Sequence, residues 1–372
     1  MMQTSSESTL RVIDLTPANK NHSHGWDDVK SEHSIMNKSY KRGQDNLVSS
    51  SSDQYYEHKF CDLTHDEYTL AHLNPFEIKR FNNLEAYPHS FETDRDVLGW
   101  LCAMMTESAL GHMLIGHFED NEWLISLNDT GNDSYYLNTS EKTLEIDSFG
   151  LDPATLGRSS LFRNMILMNF ARALRDIWHE NQNYNFVKDY NPKMAMFLER
   201  VRHADTDSLA IMIAYELRNA GYKELWRHVL GTEDADMAQV LLNVADTYPT
   251  ALYNGAALAH IFRQWYADRS RIDAADHLFL EMMDEDLRYQ SYQAGSNIPH
   301  FNIIEKMSQI GREAQYLKGI AETIMRDPYF CKIDDPINLA HLLQITHDLN
   351  VVMREGVPFR DQELALKIFP DL

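Results

Sequence analysis

From residue 159 onward, apolar residues recur at three- and four-residue spacing, and the chain reads as a succession of amphipathic helices. Ser159 or Ser160 caps the first, which runs to about Asn181 with Phe162, Ile166, Phe170, Ala173 and Ile177 as its core stripe. Pro192 opens the second and Gly221 ends it. At about 1.5 Å per residue that helix spans about 45 Å, so a bend is expected. Further helices are expected over 222–230, closed by Gly231, over 234–245, and as one long helix from Asn254 or Gly255 to Asp284. Others follow over 301–325, 336–353 and 361–368. Upstream, Thr93 is an N-cap with Asp94 and Asp96 in the first turn of a helix reaching about Leu110. The period then falls to two over 123–127, 135–137 and 143–147, with turn signals at 128–133 and 139–141. These strands predict a small antiparallel meander. Strands followed by segregated helices indicate an α+β fold that is mostly α.

The first 75 residues carry no such period. They are rich in Ser, Asn, His and Asp, and bury too little apolar surface to offset the entropy of ordering. We therefore divide the chain into a disordered or weakly ordered tail, 1–75, and one mostly helical domain, 76–372. Within it, 76–157 form the helix and meander, 158–290 the core helices, and 291–372 the C-terminal helices. The formal net charge of −22 over 372 residues disfavours nucleic acid and anionic membrane, since both require Lys/Arg neutralisation. Three cysteines, Cys61, Cys102 and Cys331, are too few and too dispersed for a disulfide framework. With no apolar leader at the N-terminus, a cytoplasmic protein is expected.

Two helices hold the residues with chemical interest. Arg172, Asp176 and His179 share a face beside the first core stripe. Arg172 and Asp176 can pair one turn apart, and His179 can reach Asp176 or gain from the helix C-terminus. On the second helix the apolar stripe runs through Phe197, Val201, Ser208, Met212 and Tyr215, and Asp205 falls in line with it. A carboxylate there costs several kcal/mol (about) unless paired or metal-bound. His203 and Asp207 neighbour each other at i,i+4 on the adjoining face. Antiparallel packing lets Asp176 and Asp205 share Arg172 or Arg175, or flank a cation. A plain reading, a solvated ion pair and a buried Asp held by an Arg or a backbone amide, competes with a functional site. Elsewhere Glu224 with His228, and Asp273, Asp276, His277 and Glu281, read as polar seams. Glycine-rich phosphate loops and nucleophile elbows are absent from the sequence.

Three stretches carry a resemblance: Ala173-Leu174-Arg175-Asp176-Ile177-Trp178-His179-Glu180, Arg200-Val201-Arg202-His203-Ala204-Asp205-Thr206-Asp207, and Ala214-Tyr215-Glu216-Leu217-Arg218-Asn219-Ala220-Gly221 with Trp226. With Asn254 to Leu258, Trp265-Tyr266 and Asp276 to Asp284, they resemble a bacterial family labelled putative metallopeptidases, over about 120–290. The resemblance implies a zincin-like arrangement, in which HExxH on a helix supplies two zinc ligands and a general base. Here the matching window is Arg172-Ala173-Leu174-Arg175-Asp176; a rival, Tyr215-Glu216-Leu217-Arg218-Asn219, keeps only the Glu. The later acidic ligand would correspond to Asp205 or Asp207. The resemblance thus implies a degenerate site with little or no peptidase activity, no cofactor, and zinc only if a site is retained. Asp176, His179, Glu180 and Asp205 are the catalytic candidates. Arg172, Arg175, Asp176, His203, Asp205 and Asp207 are the candidate ion network. A protein or peptide partner is expected. A helical interaction or regulatory module, or an active hydrolase with an acidic site, are the alternatives.

Overall fold

The computed structural model describes residues 90–120, 123–131, 134–182, 184, 186–289, 299–311 and 314–349, with short strands at 41–43, 68–69, 352–354 and 357–359. The expected helix over 361–368, and the expected tail apart from two of those strands, lie outside the described residues.

Chain order begins with β1 (Lys41–Gly43) and β2 (Tyr68–Thr69), then α1 (Asp94–Thr106) and α2 (Ala109–Asp120). Thr93 caps α1 in a capping box with Asp96, as its sequence predicts. The single helix expected to reach Leu110 instead breaks at Ser108. Ser108 Oγ accepts from Gly111 N at 3.0 Å and donates to Glu216 Oε2 at 2.5 Å, and that carboxylate also accepts from Leu110 N at 3.0 Å. A carboxylate more than a hundred residues away thus caps α2, and no local pattern announces it.

The strands β3 (Leu124–Asn128), β4 (Tyr135–Asn138) and β5 (Thr143–Asp147) follow. The sheet order is β1-β4-β5-β3-β2, with β4 antiparallel and β3 parallel to β5. This corrects the antiparallel meander: the sheet is mixed, and β5 lies between β3 and β4. The β4–β5 turn is pinned locally, because Asn138 Oδ1 accepts from Ser140 N, Ser140 Oγ and Glu141 N. The longer link before β4 imposes no such pairing on β3. Strand β3 pairs instead with β5, whose Leu144 and Ile146 are fully buried.

The helical part comprises α3 (Pro153–Arg158), α4 (Ser160–Asn181), α5 (Phe186–Asp189), α6 (Pro192–Asn219), α7 (Lys223–Leu230) and α8 (Ala235–Thr247). After a 3-10 turn come α9 (Ala256–Trp265), α10 (Arg269–Tyr289) and α11 (Asn302–Met307). The hairpin β6 (Gln309–Ile310) and β7 (Ala314–Gln315) precedes α12 (Ala321–Arg326), α13 (Pro328–Cys331), α14 (Pro336–Leu349), β8 (Val352–Arg354) and β9 (Val357–Phe359). Asn191 caps α6, with Pro192 in its first turn.

The long helix expected over 254–284 is two helices. The α9 helix ends at Trp265, whose indole is drawn to Asp207, and Asp268 Oδ1 accepts from Ser270 N at 2.9 Å to restart the chain as α10. The helix expected over 301–325 is also divided. Ser308 ends α11, and its Oγ accepts from Leu317 N at 3.1 Å across a hairpin that turns at Gly311, φ +65°.

The pairs Arg172–Asp207, Arg175–Asp205 and Asp176–Arg202 advance along α4 as they retreat along α6, so the two long helices pack antiparallel. Ile166, Phe170, Ala173 and Ile177 of the expected stripe are buried, while Phe162 at the helix start is half-buried.

Candidate functional site

The antiparallel pair α4–α6 buries an unusual number of charges, and they sort into three groups. Asp205 is fully buried at the centre of the first. Its Oδ2 accepts from Arg175 Nε at 2.6 Å and lies 2.7 Å from His179 Nε2; its Oδ1 accepts from Arg175 Nη2 at 3.2 Å and from Tyr316 Oη at 2.7 Å. Arg175 spends its remaining donors on the main chain, on Met307 O at 2.8 Å and Gln309 O at 3.0 Å, with its guanidinium 4.0 Å from the Trp178 ring. Burial pushes the Asp205 carboxyl up, but Arg175 and His179 outweigh it and hold it below the usual carboxylate range. Burial pulls His179 down against the attraction of Asp205, favouring neutral imidazole. Its Nδ1 is buried without a hydrogen-bond partner. Tyr316 is pushed up by burial and by the Asp205 charge, and so remains a donor.

In the second group Arg172 Nε donates to Asp207 Oδ1 at 2.6 Å and Nη2 to Asp234 Oδ2 at 2.6 Å. Trp265 Nε1 donates to the other Asp207 oxygen at 2.9 Å. The expected pairing of Arg172 with Asp176 therefore gives way to partners on α6 and at the start of α8. Two opposed carboxylates across a helix interface satisfy a buried guanidinium better than one carboxylate on its own helix.

Asp176 anchors the third group. It accepts from Tyr135 Oη at 2.6 Å, from Thr206 Oγ1 at 2.9 Å and from Arg202 Nε at 3.4 Å. Arg202 Nη1 lies 2.7 Å from Glu180 and 3.9 Å from Glu199. The expectation that Asp176 and Asp205 share one arginine fails: Asp205 takes Arg175, and Asp176 takes Arg202. His203, on the neighbouring face of α6, is pulled down by burial against Asp176 and Glu199. A small half-open cleft of about 70 Å³ passes over this third group. Its lining combines Asp176, Glu180, Glu199, Arg202 and His203 with apolar Leu137 and with Leu278, Phe279 and Met282 of α10.

Sequence reading singled out Arg172, Arg175, Asp176, His179, Glu180, His203, Asp205 and Asp207. The structure distributes them over the three groups rather than gathering them into one. His179 and Glu180, adjacent on α4, diverge: one faces Asp205 and the other Arg202. The reading missed Arg202, Tyr135, Tyr316, Asp234 and Glu199. Of these only Arg202 and Glu199 carried a signal, a charged i,i+3 pair next to His203. A further buried pair, Arg200 with Asp276, joins α6 to α10, and Arg200 Nη1 also donates to Lys332 O at 2.9 Å and Phe330 O at 3.3 Å.

A zinc site needs three or four ligand atoms with lone pairs free, and a group to activate water. Among the described residues no set of three or more His, Cys, Asp and Glu side chains is placed to hold a metal. In the window 172–176, set against HExxH on sequence alone, the first position is a guanidinium bound to two carboxylates. The base position is buried Ala173. Both oxygens of Asp176, at the second ligand position, already accept hydrogen bonds. These residues do not fit zinc. No helix among the described residues is long and apolar enough to cross a membrane.

No curated protein and no solved structure matches the chain. Residues 158–295, the segment carrying α4 and α6 with their buried charges, match the sequence model of the family described as "Putative metallopeptidase family", which makes this central segment metallopeptidase-like in sequence.

Proposed function

We propose that this chain is a metallopeptidase-like protein that holds peptides without cleaving them, its metal position given over to buried ion pairs. The observation that carries the reading is Arg172. Its buried guanidinium stands at the first ligand position of the degenerate HExxH window and is saturated by Asp207 and Asp234 at 2.6 Å each. A guanidinium stays protonated and offers no lone pair, so it cannot coordinate a cation. The cleft beside Asp176 supports the binding half of the reading, since it combines an apolar wall with convergent polar groups. Zincin ancestry, a cytoplasmic setting and a protein or peptide partner belong to the same proposal.

The alternative, an acidic hydrolase working from Asp176, Glu180, Glu199 and His203, has the cleft in its favour. It is the weaker reading because Arg202 ties down Asp176 and Glu180. A general base needs a carboxylate oxygen free to take a proton from the nucleophile, and both oxygens of Asp176 already accept hydrogen bonds.

The test is metal analysis of protein purified from zinc-supplemented culture, with a fluorogenic peptide-library cleavage assay before and after chelation. We expect well under one equivalent of zinc per chain and no chelator-sensitive cleavage. Stoichiometric zinc, together with cleavage that disappears on chelation and returns with zinc, overturns the proposal.

A further inference from the structure

The α14 helix turns one side to α10. Asn338 Nδ2 donates to Asp273 O at 2.8 Å, His341 Nε2 lies 2.8 Å from Asp284 Oδ2, and Leu342 and Ile345 are buried. Pro336, Leu339, Ala340 and Leu343 lie on another side and are exposed, Leu343 by 61%. Their spacing of i, i+3, i+4 and i+7 makes them one continuous ridge. Among the described residues, three of the seven exposed large apolar side chains lie on this one helix: Ile337, Leu339 and Leu343. That concentration sets the helix apart from a surface with apolar residues scattered singly, and it favours a cover.

The chain brings a matching surface to this place. Strand β8 begins three residues after Leu349, and its antiparallel register sets Phe359 of β9 beside Val352. The hairpin therefore returns the chain to the C-terminal end of α14. The sequence that follows, Asp361-Gln362-Glu363-Leu364-Ala365-Leu366-Lys367-Ile368, is that of the helix expected over 361–368. On such a helix Leu364, Ala365 and Ile368 have the spacing of Leu339, Ala340 and Leu343, with an alanine between two large residues in both. Alanines at matched places let two helices approach, and the large residues of each fill the space beside the other's alanine. Gln362, Glu363 and Lys367 fall on the far side. Eight residues at about 1.5 Å each span about 12 Å, enough to run from the end of α14 back past Leu343.

We propose that residues 361–368 form a helix antiparallel to α14 and cover its exposed ridge, Leu364, Ala365 and Ile368 packing on Leu339, Ala340 and Leu343. A second copy of the chain is the weaker occupant. The hairpin holds 361–368 beside the ridge at an effective concentration of about millimolar, which a separate molecule must match.

Two measurements on the full chain test this. In the first, Leu343→Cys is combined with Ile368→Cys, or with Lys367→Cys as the far-side control, and oxidised mildly in dilute solution. Peptide mass mapping identifies the joined cysteines. We expect a 343–368 disulfide within one chain and little 343–367 link, because the far-side Cβ points away. In the second, trypsin cleavage after Lys367 is followed as release of the pentapeptide 368–372. Cleavage requires the helix to open. Leu343→Glu should therefore speed it about tenfold or more, the scale set by burial of one leucine. Ile337→Glu, on the same helix but off the ridge, should leave the rate unchanged. Both positions are exposed on α14, so the variants keep their fold, which circular dichroism confirms. A disulfide that joins two chains gives the ridge to a second copy and overturns the proposal. A 343–368 link no stronger than the control, or a cleavage rate unmoved by Leu343→Glu, overturns it as well.

Discussion

Removing the Asp205 carboxylate should cost more than any other single truncation in the polar interior. Asp205→Ala leaves the Arg175 guanidinium fully buried, with Met307 O and Gln309 O as its remaining acceptors, and it deprives His179 Nε2 and Tyr316 Oη of theirs. Breaking one side of a buried ion pair costs about 3–5 kcal/mol. Against a total stability of about 5–15 kcal/mol, that is about a fifth or more of what holds the fold. With a urea slope near 3 kcal/mol/M, a loss of about 4 kcal/mol moves the unfolding midpoint down by a little over 1 M. The assay is urea unfolding followed by far-UV circular dichroism. Arg175→Met combined with Asp205→Leu separates charge from packing. It removes both ions, and it should be more stable than Asp205→Leu alone, although His179 and Tyr316 still lack an acceptor at about 1–3 kcal/mol each. A loss below about 1 kcal/mol for Asp205→Ala, or a double variant no better than Asp205→Leu alone, refutes the reasoning.

Two further outcomes follow from the same geometry. His179 and His203 are held below their ordinary titration range, so the unfolded chain binds protons that the folded chain refuses. Stability should therefore be fully present above about pH 6.5 and fall as pH drops below it, with a further loss at lower pH as Asp205, held below the usual carboxylate range, takes up its proton. Denaturation series from pH 8 to 4 check this, and stability that stays flat or rises from pH 7.5 to 5.5 contradicts it. Gly255 adopts φ +82°, and an added Cβ would lie 2.8 Å from Tyr316 Cβ. Gly255→Ala should cost about 1–3 kcal/mol by thermal or urea unfolding, and a neutral result rules out the close packing of Tyr316 on this glycine.

Much of the helical part could be read from the sequence because its signals are local. Thr93, Asn191 with Pro192, and Gly231 mark ends where a side-chain cap or a backbone N–H acts within a few residues. The breaks at Ser108 and Trp265 escaped because remote partners make them, Glu216 in one case and Asp207 in the other. The same distinction runs through the site. Asp205 announced itself as a carboxylate on an apolar stripe, but which arginine answers it depends on how α4 rotates against α6. Tyr316 and Asp234 reach the network from elements whose own sequence carries no trace of it. The order of β3, β4 and β5 was misread for a related reason, since alternation marks strands and leaves their neighbours open.

Arg175 and Arg200 reach beyond the family-matched segment to grip the main chain at 307, 309, 330 and 332. Every amino acid carries a carbonyl, so these clasps make no demand on side-chain identity at the gripped positions. The segment after residue 295 is thereby fastened in part by its backbone path, with Tyr316 Oη on Asp205 and Asn338 Nδ2 on Asp273 O as side-chain ties beside the clasps. The family-matched segment and the network of buried arginine contacts then have different borders in this molecule: residue 295 bounds the first, whereas the second extends at least to Lys332.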